Sequence, residues 1–361
     1  MPDNTPSRAL LGHYPFSLAL SSGIDLPMAT INDVCKLAGV SKATVSRVLN
    51  NTGQVKKSTA DAVYQAMNTL GYKPNSLARA LATNCTNTLG LVVSAFEGAY
   101  FSSLMRKASE TSASDGKQLL IMDGGHSPQS EEKAIHSLVE RKVDAVILYT
   151  RKMPAEKLKT LMESLPVPLI VINQMVEGFE PRCICFDQYQ AACNATEFLI
   201  AKGHNKIACI SGPENSVNSS LRLQGFKDTL AKHHLPLCGI YHGNYYTQSG
   251  YHACQALLDS KQPFSALFAA NDSMAMGAIR ALHEAGINVP EEISVMGFDN
   301  DPAGPFLIPS LSSIMLPVDA MAQTAIEQAM RLLKGDKISE VDLFSGSLIV
   351  RESVDQLKKP R

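Results

Sequence analysis

The run TINDVCKLAGVSKATVSRVLN, residues 30 to 50, decides how this chain is read. Thr30 followed by Asp33 is a T-x-x-D helix start, in which a hydroxyl and a carboxylate serve the unpaired amides of a first turn. Val34, Leu37 and Ala38 fall at i, i+3 and i+4, one apolar stripe of that helix. Gly39 then ends it, because glycine accepts the left-handed backbone that closes a helix. Ser41 is placed to cap a second helix from Lys42 to Asn50, with Val45, Val48 and Leu49 on its buried side. Lys42, Ala43, Thr44, Ser46 and Arg47 fall on the opposite side. Two short helices joined by a glycine turn form a helix-turn-helix, whose second helix enters the DNA major groove. Lys42 at its start suits a guanine edge and Ala43 a thymine methyl, whereas Ser46 and Arg47 suit phosphates. Thr30, Ser41, Thr44 and Asn50 complete the candidate DNA-contacting set. A third helix, Lys57 to Leu70, is expected to pack through Ala60, Val63, Ala66, Met67 and Leu70.

Charge agrees with this reading. The chain carries a net charge of −1, but Met28 to Thr83 hold seven Lys/Arg against two Asp. A basic head on an acidic body is the electrostatic footprint of a DNA-binding module joined to something else.

At 361 residues the chain exceeds what one core spans, and 45% hydrophobic against 19% charged residues describes a packed protein rather than a disordered one. Beyond Thr88 short apolar runs recur, each followed by a helical stretch: Leu89–Val93, Leu119–Met122, Ala145–Leu148, Leu169–Ile172, Ile207–Ile210, Ala266–Ala269 and Ile293–Phe298. Such runs suit parallel strands buried on both faces, and their alternation with helices predicts doubly wound α/β lobes. The fold class expected is therefore an all-α N-terminal helix-turn-helix domain followed by a two-lobed α/β body. The divisions expected are an extension at 1–27, a DNA-binding domain at 28–74, a hinge at 75–87 and a body at 88–353. In that body a first lobe takes 88–186 and 316–343, a second takes 187–315 and 344–353, and 354–361 is a tail.

Eight scattered cysteines without a CxxC pair read as reduced thiols. Cys183 and Cys185, on a strand-like run, are expected on opposite faces. No stretch reaches 18 apolar residues, so no membrane span is expected. The mildly apolar run Ala9–Leu20 is broken by Gly12, His13 and Pro15, and only Arg8 precedes it, which makes a poor signal peptide. A cytoplasmic protein is expected. His126, His204 and His283 lack metal-ligand spacing and are expected on the surface. With no phosphate-binding loop, nucleophile elbow or HExxH, neither an enzyme nor a cofactor is expected.

The run from Met28 to Asn50 resembles the start of LacI/GalR-family transcriptional repressors, and the resemblance extends to Ser353. Gly71-Tyr72-Lys73-Pro74-Asn75 with Ala78-Arg79-Ala80-Leu81 is similar to that family's hinge. The resemblance implies a hinge helix that folds on the operator, with Leu81 wedged into the minor groove to kink the duplex. It also implies a body akin to periplasmic sugar-binding proteins, closing two lobes over an effector. Arg222, Asn271 and Asp299 match positions that hydrogen-bond the effector, and their donors and acceptors suit a polyol. Tyr245 matches a position that stacks on the sugar face. Asn173, Phe101 and Ser94 are further cleft candidates. Val171-Ile172-Asn173 with Gly178-Phe179-Glu180 is similar to the galactose-type repressors, and Tyr100-Phe101-Ser102 to a β-glucoside branch. Lys42 departs from the galactose type.

The partners implied are a palindromic operator, a small sugar (galactose, β-galactoside or β-glucoside) and a second copy of the chain. That second copy would pair through the first lobe near Met105–Ser114. The alternatives to a sugar-released repressor are a periplasmic-type sugar-binding protein and a corepressor-dependent regulator.

Overall fold

The computed structural model describes residues 29–50, 53–72, 85–125 and 127–357; the extension at 1–27 and the hinge residue Leu81 lie outside them. The chain divides into two units, Met1–Arg79 and Ala80–Arg361.

In the first unit α1 (Ile31–Ala38), α2 (Lys42–Asn50) and α3 (Lys57–Leu70) close around Val34, Val45, Val48, Val63, Ala66 and Met67. Asp33 accepts from the Thr30 amide at 2.9 Å and the Thr30 hydroxyl at 2.7 Å, which holds its carboxyl below the usual range. Gly39 takes φ +64°, and the chain leaves α1 there. Leu37 differs from expectation: it is 53% exposed, because the three-helix core is too small to cover a third residue of the α1 stripe.

The second unit holds two six-stranded sheets. The first has the order β11-β5-β4-β3-β1-β2, built from β1 (Thr88–Val93), β2 (Gln118–Asp123), β3 (Ala145–Tyr149), β4 (Leu169–Ile172), β5 (Cys183–Phe186) and β11 (Asp342–Phe344), all parallel. The second has the order β12-β10-β9-β8-β6-β7, built from β6 (Ile207–Ser211), β7 (Leu237–His242), β8 (Ala266–Ala269), β9 (Ser294–Asp299), β10 (Ser312–Met315) and β12 (Ser347–Ile349). Among the described residues only β12 runs antiparallel to its neighbour.

Helices α4 (Ala99–Ser114), α5 (Pro128–Glu140), α6 (Ala155–Ser164) and α11 (Val318–Leu333) flank the first sheet. Helices α7 (Gln188–Ala201), α8 (Val217–Lys232), α9 (Thr247–Asp259) and α10 (Asp272–Glu284) flank the second. Strands β7 and β10 are absent from the expected runs, as are the three-residue edge strands β11 and β12. Strand β7 is a half-exposed edge strand, and β10 opens with Ser312 and Ser313, which are buried but hydrogen-bonded.

Cys183 and Cys185 share one face, in the apolar cluster with Leu158 and Val171, while Ile184 and Phe186 face the other way. A separation of two along a strand returns a side chain to the same face, so the expectation of opposite faces is corrected. His204 is buried: its ring nitrogens lie 3.0 Å from the Ser265 hydroxyl and 3.1 Å from the Asp355 carbonyl. Residues 354–357 are no loose tail, since Val354 is buried and the Leu357 amide bonds Lys202 O at 2.8 Å.

The backbone crosses between the lobes three times, after Phe186, after Met315 and after Phe344. The last is one residue beyond the expected division, because Phe344 still pairs with Phe186. The crossings touch each other: the Asp187 amide donates to Phe344 O at 2.9 Å. A Cβ on Gly346 would stand 2.8 Å from Ile314 and 3.0 Å from the Phe186 ring.

Candidate functional site

Open α/β sheets receive ligands outside the carboxyl ends of their strands, where the strand order reverses. In the first sheet that point lies between β1 and β3, and in the second between β6 and β8. The loops leaving those strands line a cavity of about 530 Å³ between the lobes.

From the second lobe come Arg222 on α8, Asn271 after β8 and Asp299 ending β9, all lining this cavity. Arg222 is buried, and its guanidinium lies over the Phe298 ring at 3.7 Å. Its Nε donates to Gln188 Oε1 at 2.7 Å, one Nη donates to the Ala270 carbonyl, and the other lies 3.6 Å from Asp299. Burial pushes the Asp299 carboxyl up to about 6, against the pull of Arg222 and Arg151. Asp299 has φ +109°, a backbone strain that an ordinary turn residue avoids. Asn271 caps α10, its side-chain oxygen accepting the Met274 amide at 3.0 Å, and its Nδ2 donates to Tyr245 O at 3.0 Å.

Beneath these, Asp272 is buried and accepts from the Ser313 hydroxyl at 2.7 Å and the Asp301 amide at 2.6 Å. Burial raises its carboxyl to about 8, the Ser313 hydrogen bond opposing and the Asp299 charge adding to the rise. Asp272 therefore fixes the loop that carries Asp299.

Asn173, with φ +82°, reaches the cavity from the end of β4. It donates to Thr150 O at 2.9 Å and accepts from Asn218 of the second lobe at 2.8 Å. Tyr245 also lines the cavity at φ +72°, its hydroxyl 3.4 Å from that of Ser216. Tyr246 lines the rim and is 56% exposed. Phe101 lines the floor, packed edge-on against Tyr100 and Tyr149 at centroid distances of 5.4 and 5.0 Å. Ser94 is not brought to the lining; it is buried one residue short of Ala95, which is, and its hydroxyl finds no partner among the described residues. Sequence reasoning missed Arg151, Tyr149, Gln188 and Asn218. The signal for Arg151 was present, since it follows β3 by two residues at the reversal of strand order.

On the first unit Thr30, Ser41, Lys42, Ala43, Ser46 and Arg47 are exposed and Thr44 is half-buried. Ser41 caps α2 through the Thr44 amide at 3.2 Å. The side chain of Asn50 lies outside the described residues, as does Leu81. No group of three or more potential metal ligands occurs among the described residues, and no helix there is long and apolar enough to cross a membrane.

A helix-turn-helix and a two-lobed cleft lined with polar donors and acceptors, on one chain, define a ligand-responsive transcriptional regulator. Residues 30–75 match the lacI family of bacterial regulatory proteins, and residues 196–354 match a periplasmic binding protein-like domain. The HTH-type transcriptional regulator AscG of Escherichia coli K12 is 41% identical over 331 residues, 91% of this chain and 98% of that protein. The regulator GalR of the same strain is 37% identical over 330 residues, 91% of this chain and 96% of that one. The crystal structure of the lac repressor dimer bound to operator and the anti-inducer ONPF superposes with a TM-score of 0.84 at 28% identity, covering 91% of this chain and 99% of that chain. The chain belongs to the lacI family of bacterial regulatory proteins. The two-lobed body, the parallel sheets and the helix-turn-helix are those expected of it.

Proposed function

We propose that this regulator represses a sugar-utilisation operon as a cytoplasmic homodimer on a palindromic operator, and that a small sugar in the interlobe cavity releases it. The observation that carries the reading is the convergence of Arg222, Asn271, Asp299 and Asn173 on one cavity. This set of donors and acceptors matches vicinal hydroxyls, with aromatic faces beside it. Galactosides and β-glucosides are the classes favoured, from the likeness to GalR and AscG. Binding and release, not chemical turnover, are the activity.

On the DNA side, Lys42 and Ala43 meet base edges and Ser46 and Arg47 hold phosphates. Thr30, Ser41, Thr44 and Asn50 border that surface, and Leu81 acts as the minor-groove wedge. Pairing of two chains sets the recognition helices about one turn of DNA apart. Coupling is reciprocal: if sugar weakens operator binding by some factor, operator weakens sugar binding by the same factor.

Fluorescence anisotropy on a palindrome beside the gene, at fixed salt and with a panel of galactosides and β-glucosides, tests this reading. Release by one sugar supports it. Tight operator binding that no sugar alters removes the ligand assignment, and absence of specific DNA binding removes the whole.

A further inference from the structure

The cavity holds two arginines in very different states. Arg222 is anchored: Gln188 and the Ala270 carbonyl take two of its donors, Asp299 stands against its charge, and the remaining donors face the cavity contents. Arg151, in the loop after β3 of the first lobe, has no such hydrogen bonds, although Asp299 also feels its charge. Its guanidinium carbon lies 5.4 Å from the Tyr245 ring centroid, 5.7 Å from Phe101 and 6.0 Å from Tyr149. No carboxylate, carbonyl or hydroxyl among the described residues accepts any of its N–H groups. The acids nearby are engaged elsewhere. Asp299 faces Arg222, Asp272 is sealed under Ser313 and the Asp301 amide, and Asp319 pairs with Arg106 at 2.8 Å.

Three aromatic rings surround this guanidinium, and their electron-rich faces favour its charge. A half-buried cation with an open fork of donors is costly unless something completes it, and a planar fork is matched best by two oxygens of one anionic group. Arg151 also lines a second cavity of about 380 Å³, together with Pro128, Lys152, Met153, Gln174 and Asn215.

The geometry points to an effector that is an anionic sugar, a sugar phosphate or sugar carboxylate, whose charged group is received by Arg151, the arginine that lines both cavities. This inference rests on the cavity being the effector site. Arg151 is then the residue that sets specificity between a phosphorylated sugar and its neutral parent.

The test is isothermal titration of the full chain with matched pairs: galactose and galactose 6-phosphate, a β-glucoside and its 6-phosphate, and glucose and glucuronate. The anionic member of at least one pair should bind about 10- to 100-fold more tightly, as bidentate charge-assisted hydrogen bonds require. The phosphate and uronate arms distinguish the two sources of charge. Arg151→Gln should bring that ratio close to one, and Arg151→Lys, which keeps charge but not the fork, should leave it in between. Neutral sugars that bind while no anionic partner binds better would overturn the inference and leave the sugar cleft standing. A ratio unchanged in Arg151→Gln overturns it too, and failure of every sugar, charged or neutral, overturns both.

Discussion

Replacing Arg222 by alanine separates the sensing half of this protein from the DNA-binding half. The substitution strips the hydrogen bonds from Gln188 Oε1 and the Ala270 carbonyl and removes the cation 3.6 Å from Asp299. Each abandoned buried acceptor costs about 1–3 kcal/mol, the lower end applying where cavity water can enter. A loss of about 2–4 kcal/mol is tolerable against a folding margin of about 5–15 kcal/mol. The effector loses one charge-assisted donor pair, worth about 1.5–3 kcal/mol, so its affinity should fall about 10- to 150-fold. Asp299, at about 6 with Arg222 beside it, moves higher still once that charge is gone, which weakens it further as a hydroxyl acceptor. Calorimetry of the sugar and anisotropy of the operator are measured on the same preparation. The operator should still be bound, and the sugar needed for half-release should rise by the same factor as its dissociation constant. Release at the parent's sugar concentration would refute the placement of Arg222 in the effector site.

Lys42→Ala should alter base preference when operator variants compete in anisotropy; a uniform loss across sequences would make Lys42 a phosphate contact. Asp272 at about 8, and Glu131, which burial on α5 raises to about 7 against the Thr150 hydroxyl it accepts from at 2.7 Å, both hold protons more tightly folded than unfolded, so the folded state binds more protons and stability falls as pH rises. From pH 6.5 to 8 the melting temperature should drop by a few degrees, roughly 1–2 kcal/mol, and Asp272→Asn should flatten most of that slope; a rise over this window would contradict the assignment. Gly346→Val pushes a branched side chain against Ile314 and Phe186, so it should cost about 1–3 kcal/mol and shift the sugar concentration for operator release, although it touches neither ligand. A parent-like melting temperature and response would show that the crossing is not tightly packed.

The helix-turn-helix was legible because its signals are local: a capping pair, a glycine stop and a serine cap within 21 residues. The central strands were legible because both of their faces are buried, which writes them as apolar runs. Edge strand β7 and the serine-led β10 broke that rule, one through exposure and the other through buried hydroxyls with partners far off in sequence. For the cleft, Arg222, Asn271 and Asp299 came from likeness to a family, and the chain's own pattern would not have singled them out. Arg151 escaped because its significance lies in what it does not bond, which only the assembled loops reveal. Ser94 was placed one position away from the lining, a distinction that periodicity does not resolve at the end of a strand.

The three crossings between the lobes bear on what kind of instrument the cleft is. Two bodies joined by a single ribbon swivel about any axis; three ribbons laid side by side, packed through Phe186, Ile314 and Gly346, leave bending across them as the soft direction. The cleft is then a caliper with one coordinate, and a bound molecule reports its girth as an angle. Affinity and outcome become separable quantities. A slim ligand lets the jaws shut, and a thick one gripped just as tightly props them apart. Two sugars of equal dissociation constant can thus drive the attached helices in opposite directions, one releasing the operator and the other holding the repressor on it.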